Sequence, residues 1–273
     1  MNKFFKLKEF IKKTEKYFEV KNYSMVIEYA NKALSMEILL SKVQISEILL
    51  MRGQSFYFLG RYIESIGDFN KLIKLYPDDE EFYNSRGICL SNIGQFDSAM
   101  NDFNKAIQLN PNDSYFYNNK AVVFDELNRS SEALNEYQKA INLDRNNSLF
   151  FKNRAKAYLS LNKFKESNDD IKNAIKNFKD EGEEFKNKLF EDYETTLFNM
   201  RDSLIRLYLP KYLFYFFIGL IIAFFVPSYT FQILFLLLFV LIVYLFENIK
   251  YKRLVKQTPN AFKLYKKFHK GNI

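Results

Sequence analysis

Tryptophan is absent from this chain, histidine and cysteine occur once each, and 273 residues include only 8 Gly and 5 Pro. Each scarcity excludes something. A lone Cys89 builds no disulfide framework and no cysteine-rich zinc or iron–sulfur site. A lone His269 makes neither a histidine-ligated metal site nor a histidine-based triad. So few Gly and Pro do not supply the turns of an all-β sandwich or barrel. The signatures G-x-x-x-x-G-K-[ST], G-x-G-x-x-G, H-E-x-x-H and G-x-S-x-G are missing. The acidic run Asp78–Glu81 falls at a turn and helix start, where carboxylates favour the helix dipole. Asp169 and Asp170 read as a solvated helix face. The chain is therefore expected to be no enzyme, with no catalytic residue, no metal and no cofactor.

What is present begins with 48% hydrophobic residues, too many for a disordered tail. The formal net charge is +8, which as a global number points to nucleic acid or an anionic membrane. Where that charge sits decides between them.

The strongest internal signal is a repeat of 34 residues. Stepping by that period, Gly53, Gly87, Ala121 and Ala155 are small, and Phe56, Leu90, Phe124 and Tyr158 are large and apolar. Gly60, Gly94, Asn128 and Asn162 form a row suited to left-handed C-caps. Ser65, Ala99, Ala133 and Ser167 are small again; Phe69, Phe103, Tyr137 and Ile171 are bulky. Pro77 and Pro111 stop the second helix of their units. Small rows let two antiparallel helices approach, and bulky rows fill the space beside them. The pattern predicts stacked helix–turn–helix hairpins.

Arg52-Gly53, Leu59-Gly60-Arg61-Tyr62 and Ile93-Gly94-Gln95-Phe96, followed by Ala99, Phe103, Ala106 and Asn110-Pro111, resemble the tetratricopeptide repeat (TPR). The resemblance covers an array over 7–181, with units at about 7–40, 46–79, 80–113, 114–147 and 148–181. The first fits only after a five-residue insertion near 41–45, with Thr14 in its small position. The implied fold is all-α, a TPR helical-hairpin solenoid of about four to five repeats. Phe185 continues the 34-residue phase of Tyr83, Tyr117 and Phe151, so 182–209 is expected to form a capping and connecting helix.

From Tyr212 to Phe246 no residue is charged over 35 positions. As one helix that run would measure about 52 Å against a hydrocarbon core of about 30 Å. Pro227-Ser228 marks the place to fold back, which predicts a two-helix transmembrane hairpin over 210–246. A crossing and a re-entrant hairpin both satisfy the pattern, and both put the flanks on one side. Arg201, Arg206 and Lys211 precede it and a larger Lys/Arg cluster follows, so the positive-inside rule makes both termini cytoplasmic.

That following cluster, 247–273, is a basic juxtamembrane tail with eight Lys+Arg and one acid, Glu247. Its net +7 leaves only +1 on residues 1–246. The excess charge thus lies beside the expected membrane segment, where Lys263, Lys266, Lys267 and Lys270 would contact anionic lipid; no nucleic acid is expected. The N-terminal stretch, Met1–Glu19, is amphipathic and Lys-rich without a signal-peptide apolar core.

The family resemblance implies that partners bind on the concave face lined by first helices. By phase, Gln54, Asn84, Asn118, Lys152 and Lys156 lie there. The combined expectation is a membrane-anchored, non-enzymatic scaffold or adaptor that binds a protein or peptide partner. The alternative is a receptor or assembly subunit of a membrane translocation, insertion or transport complex in which the hairpin takes part.

Overall fold

The computed structural model describes residues 3–177. Within them lie ten α-helices: α1 (Lys3–Glu19), α2 (Tyr23–Leu34), α3 (Lys42–Phe58), α4 (Tyr62–Leu75), α5 (Glu80–Asn92), α6 (Phe96–Leu109), α7 (Ser114–Glu126), α8 (Ser130–Leu143), α9 (Ser148–Ser160) and α10 (Phe164–Asn177). A short 3₁₀ turn occupies Glu37–Leu39, and no strand occurs among the described residues. The connecting helix expected over 182–209, the hairpin over 210–246 and the basic tail over 247–273 lie outside the described residues. Among those described, no helix is long and apolar enough to cross a membrane.

The chain divides into two compact units, Met1–Asn146 and Asn147–Ile273. In the first, α1 packs on α2, α3 on α4, α5 on α6 and α7 on α8. Each second helix also meets the next first helix, as α2–α3, α4–α5 and α6–α7. Some first helices touch as well, α1 with α3 and α5 with α7. In the second unit the described elements are one hairpin, α9 against α10.

The 34-residue rows become the core. Phe69, Phe103, Tyr137 and Ile171 are all buried, as are Leu72, Ala106, Ala140 and Ala174. Burying each bulky side chain contributes roughly 1.5–3 kcal/mol. Phe69 and Leu72 share a cluster with Leu49, Phe82 and Cys89. Phe103 sits with Leu90, Ala99 and Val123, so each cluster draws on helices of neighbouring hairpins. The small row brings the two helices of one hairpin together through the backbone: Ser65 Oγ donates to the Gly53 carbonyl at 2.7 Å, and Ser167 Oγ donates to that of Ala155 at 2.9 Å.

The turns follow from the cap row. Gly60, Gly94, Asn128 and Asn162 have φ of 71°, 75°, 57° and 57°. Beyond each, a backbone N–H reaches back five residues: Arg61 to Phe56, Gln95 to Leu90, Arg129 to Phe124 and Lys163 to Tyr158. This closes the last helical carbonyls in a Schellman arrangement. Lys21, φ 55°, holds the same place in the first hairpin. Helix starts repeat too: Asp79, Asp113 and Asn147 each accept a bond from the N–H two residues on. The extra residues between the first and second hairpins are taken up by the 3₁₀ turn and an added first turn of α3, whose Ser41 and Gln44 make a capping box.

Candidate protein-binding groove

The five positions assigned to the groove from the sequence fall into two groups. Gln54 on α3, Asn84 on α5 and Asn118 on α7 belong to the first unit; Lys152 and Lys156 sit one turn apart on α9 of the second. Gln54 is half-buried and Lys156 exposed, whereas Asn84, Asn118 and Lys152 are buried. The structure joins Asn84 to Asn118 through Asn119, which is not among those five positions. Asn118 Nδ2 donates to Asn119 Oδ1 at 3.2 Å, and Asn119 Nδ2 donates to Asn84 Oδ1 at 2.9 Å. Asn84 Nδ2 then points to Glu81 Oε2 at 3.5 Å. A line of amides therefore runs from α7 to α5 and ends on a carboxylate. Asn119 is half-buried and Glu81 exposed, so these members of the line can meet an extended backbone, which has both donors and acceptors to satisfy.

Acidic side chains gather where α5 and α7 begin. Partial burial, and after it the acids Asp113, Glu80 and Asp79, push the Glu81 carboxyl above its ordinary value. Asp125 on α7 accepts from the buried Tyr137 hydroxyl at 2.9 Å. A depression of about 480 Å³ is lined by the single segment Leu75–Glu81, so it is the edge of one turn rather than a pocket assembled from several elements.

Sequence reasoning missed a second ladder, built on charge. Arg52 donates bidentately to Asp68 at 2.8 and 2.6 Å. Arg86 does so to Asp102 at 2.7 and 2.6 Å, and Arg154 to Asp170 at 2.7 and 2.7 Å. Lys120 meets Glu136 at a looser 3.5 Å. Each pair joins the two helices of one hairpin. Arg52 and Arg86 also reach the preceding hairpin, donating to Asn31 at 2.6 Å and to Asn70 at 2.7 Å. The bond to Asp102 raises the Arg86 guanidinium further, while burial pushes the Asp170 carboxyl up against the pull of Arg154. The signal was available: Arg52, Arg86, Lys120 and Arg154 are themselves 34 apart, as are Asp68, Asp102, Glu136 and Asp170.

These pairings consume the acids that might otherwise be read as chemistry. Asp170 is held by Arg154, and Asp169 by Lys172 at 3.1 Å. No group of His, Cys, Asp and Glu able to hold a metal occurs among the described residues. Cys89 is buried, 3.2 Å from Ser65 Oγ. His269 and the four lipid-facing lysines, Lys263, Lys266, Lys267 and Lys270, lie outside the described residues.

The geometry defines a class: tandem antiparallel helical hairpins stacked with a 34-residue period. Three tetratricopeptide-repeat family models match within it, at residues 47–79, 80–113 and 103–135. The hairpins of that stretch are tetratricopeptide repeats. Among solved structures, the chain is similar to a tetratricopeptide repeat protein from Parabacteroides merdae ATCC 43184, with TM-score 0.58, 15% identity, and 71% of this chain and 73% of that one covered. It is also similar to MamA residues 41 to the end from Desulfovibrio magneticus RS-1, with TM-score 0.55, 18% identity, and 63% and 94% covered. Another MamA crystal structure gives TM-score 0.53 at 19% identity, covering 63% and 91%. At these identities the likeness is one of fold. No curated protein matches the chain.

Proposed function

We propose that the chain is a non-enzymatic scaffold that holds a protein or peptide partner along the wall of its first helices. The observation that carries this reading is the amide line Asn118–Asn119–Asn84–Glu81, laid across neighbouring first helices of a tetratricopeptide stack. Such a surface matches an extended backbone. Gln54 and Lys156 extend the candidate surface within their own units, one half-buried and one exposed. The scaffold acts at the cytoplasmic side of a membrane, anchored by the apolar run 212–246 and oriented by the basic residues that flank it.

Two measurements test the two halves of this reading. Gln54→Ala combined with Lys156→Glu lowers recovery of crosslinked partner at unchanged helicity; unchanged recovery removes these positions from the binding surface. Protease protection of tags at positions 1 and 273 in sealed membranes places both on the same side, and opposite sides contradict a hairpin anchor.

A further inference from the structure

We infer that the α1–α2 hairpin closes the repeat stack: the stripe of α1 that corresponds to the stacking stripe of later first helices is charged, so neither another repeat nor a second copy of this chain stacks on it. In the first unit, that stripe of each later first helix meets the hairpin before it. Ile48 on α3 shares a cluster with Ala30 and Ala33 of α2, and Phe82 on α5 shares one with Phe69 and Leu72 of α4. Two turns further along the helix, Cys89 lies 3.2 Å from Ser65 Oγ on α4, and Val123 on α7 clusters with Ala99 and Phe103 of α6. All of these residues are buried.

The alignment that sets Thr14 with Gly53 and Lys21 with Gly60 sets Glu9, Lys13 and Lys16 with Ile48, Arg52 and Ser55. At i, i+4 and i+7 the three share one helical stripe. The Glu9 and Lys13 side chains remain 39% and 38% exposed, and Lys16 is exposed. The ion-pair ladder changes at the same place. Arg52 and Arg86 each hold an aspartate and reach back to Asn31 or Asn70 of the preceding hairpin. Lys13 instead pairs with Glu9 at 2.7 Å and stands 4.9 Å from the ring centroid of Tyr29, which occupies the aspartate position. Lys32 approaches the same ring at 4.6 Å, so ammonium groups cover it.

A hairpin arriving on this stripe would take Glu9 and Lys16 out of water. The second-helix rows that meet the stripe inside the stack are apolar, as Phe69 and Leu72 show. A second copy stacking in register would offer the same rows of α10, Ile171 and Ala174. Neither supplies a counter-charge, and burying an unpaired charge costs more than the apolar contact gains. A polar outer face is what ends a repeat array. This inference does not depend on what the first-helix wall binds.

The only thiol of the chain occupies the same row as Lys16, which supplies the control. Maleimide labelling is compared in full-length protein in membranes: the native chain, and Cys89→Ser carrying either Lys16→Cys or Lys71→Cys. Serine already stands in this row at Ser55, and Lys71 is an exposed position on α4. Lys16→Cys labels within about two-fold of Lys71→Cys, whereas Cys89 labels at least about 100-fold more slowly because it waits on local opening. Lys16→Cys labelling about ten-fold or more slower than Lys71→Cys shows the stripe covered and overturns the inference. A second variant tests the charges. Glu9→Phe with Lys16→Val gives α1 the Phe116 and Val123 of the α7 stripe. With helicity retained, sedimentation in one detergent gives this variant a higher, concentration-dependent mass than the native chain. An unchanged mass overturns the role assigned to the charges.

Discussion

At the scale of single residues, one row of the repeat contains two glycines that the structure treats differently. A Cβ built on Gly87 would meet the buried Phe103 ring at 2.9 and 3.1 Å, whereas at Gly53 the nearest atoms are Asp68 Cβ at 3.4 Å and Phe69 at 3.6 Å. Phe103 is fully buried and has no room to retreat. Gly87→Ala therefore destabilises by about 1–3 kcal/mol through overpacking, outweighing the gain in helix propensity. Gly53→Ala keeps that gain and stabilises by about 0.5–1 kcal/mol, in line with Ala121 and Ala155 in the same row. Urea unfolding of the two variants checks the opposite signs. The row was legible in the sequence as a set of small residues. Which member tolerates a methyl was not, because that depends on how closely one ring approaches.

Cys89 offers a second test at this scale. Ser65 Oγ already donates to the Gly53 carbonyl, so at 3.2 Å the thiol is the donor to Ser65. Burial pushes its pKa up. The folded state favours the protonated thiol, so its contribution is complete below the ordinary thiol pKa of about 8.5. Above that value the unfolded chain ionises first, and stability falls by up to about 1.4 kcal/mol per pH unit from this group until the folded pKa is reached. Cys89→Ala flattens the stability profile in that alkaline window. A profile unchanged by the substitution contradicts the assignment. As the only thiol in the chain, Cys89 also reports its own burial: a thiol reagent labels it only after denaturation.

At the scale of elements, the hairpins are fastened by ion pairs as well as by apolar rows. The Asp102 side chain is 7% exposed and takes both bonds from Arg86. Arg86→Met leaves a buried carboxylate without its cation and costs about 3–5 kcal/mol. Arg86→Met with Asp102→Leu restores most of that loss, since an apolar pair of similar volume carries no desolvation cost. Lys120→Met costs less than Arg86→Met, because Lys120 stands 3.5 Å from Glu136, which keeps Lys139 at 3.0 Å. Denaturant midpoints of the three variants give the order, and a Lys120 variant as damaged as the Arg86 variant contradicts it. Hairpin positions, caps and core rows were readable because each is a steric demand that recurs every 34 residues. The polar ladders recur too, but a charged residue at helical spacing has the same appearance whether it faces water or a buried partner. Asn84 and Asn118 show the same ambiguity: phase put them on the first-helix wall, while their burial and their linkage through Asn119 depend on tertiary contact.

At the scale of the molecule, the charge imbalance belongs mainly to the last 27 residues, with a smaller concentration at the start of α1. The central claim is that the wall of first helices, not the outer surface of second helices, receives a partner. Site-specific photo-crosslinking in the full chain addresses it most directly, with a photoreactive residue at Gln54 on α3 and, in a separate variant, at the exposed Lys71 on α4. The account predicts a discrete crosslinked partner from Gln54 and none from Lys71. The same adduct from Lys71, with none from Gln54, would contradict it.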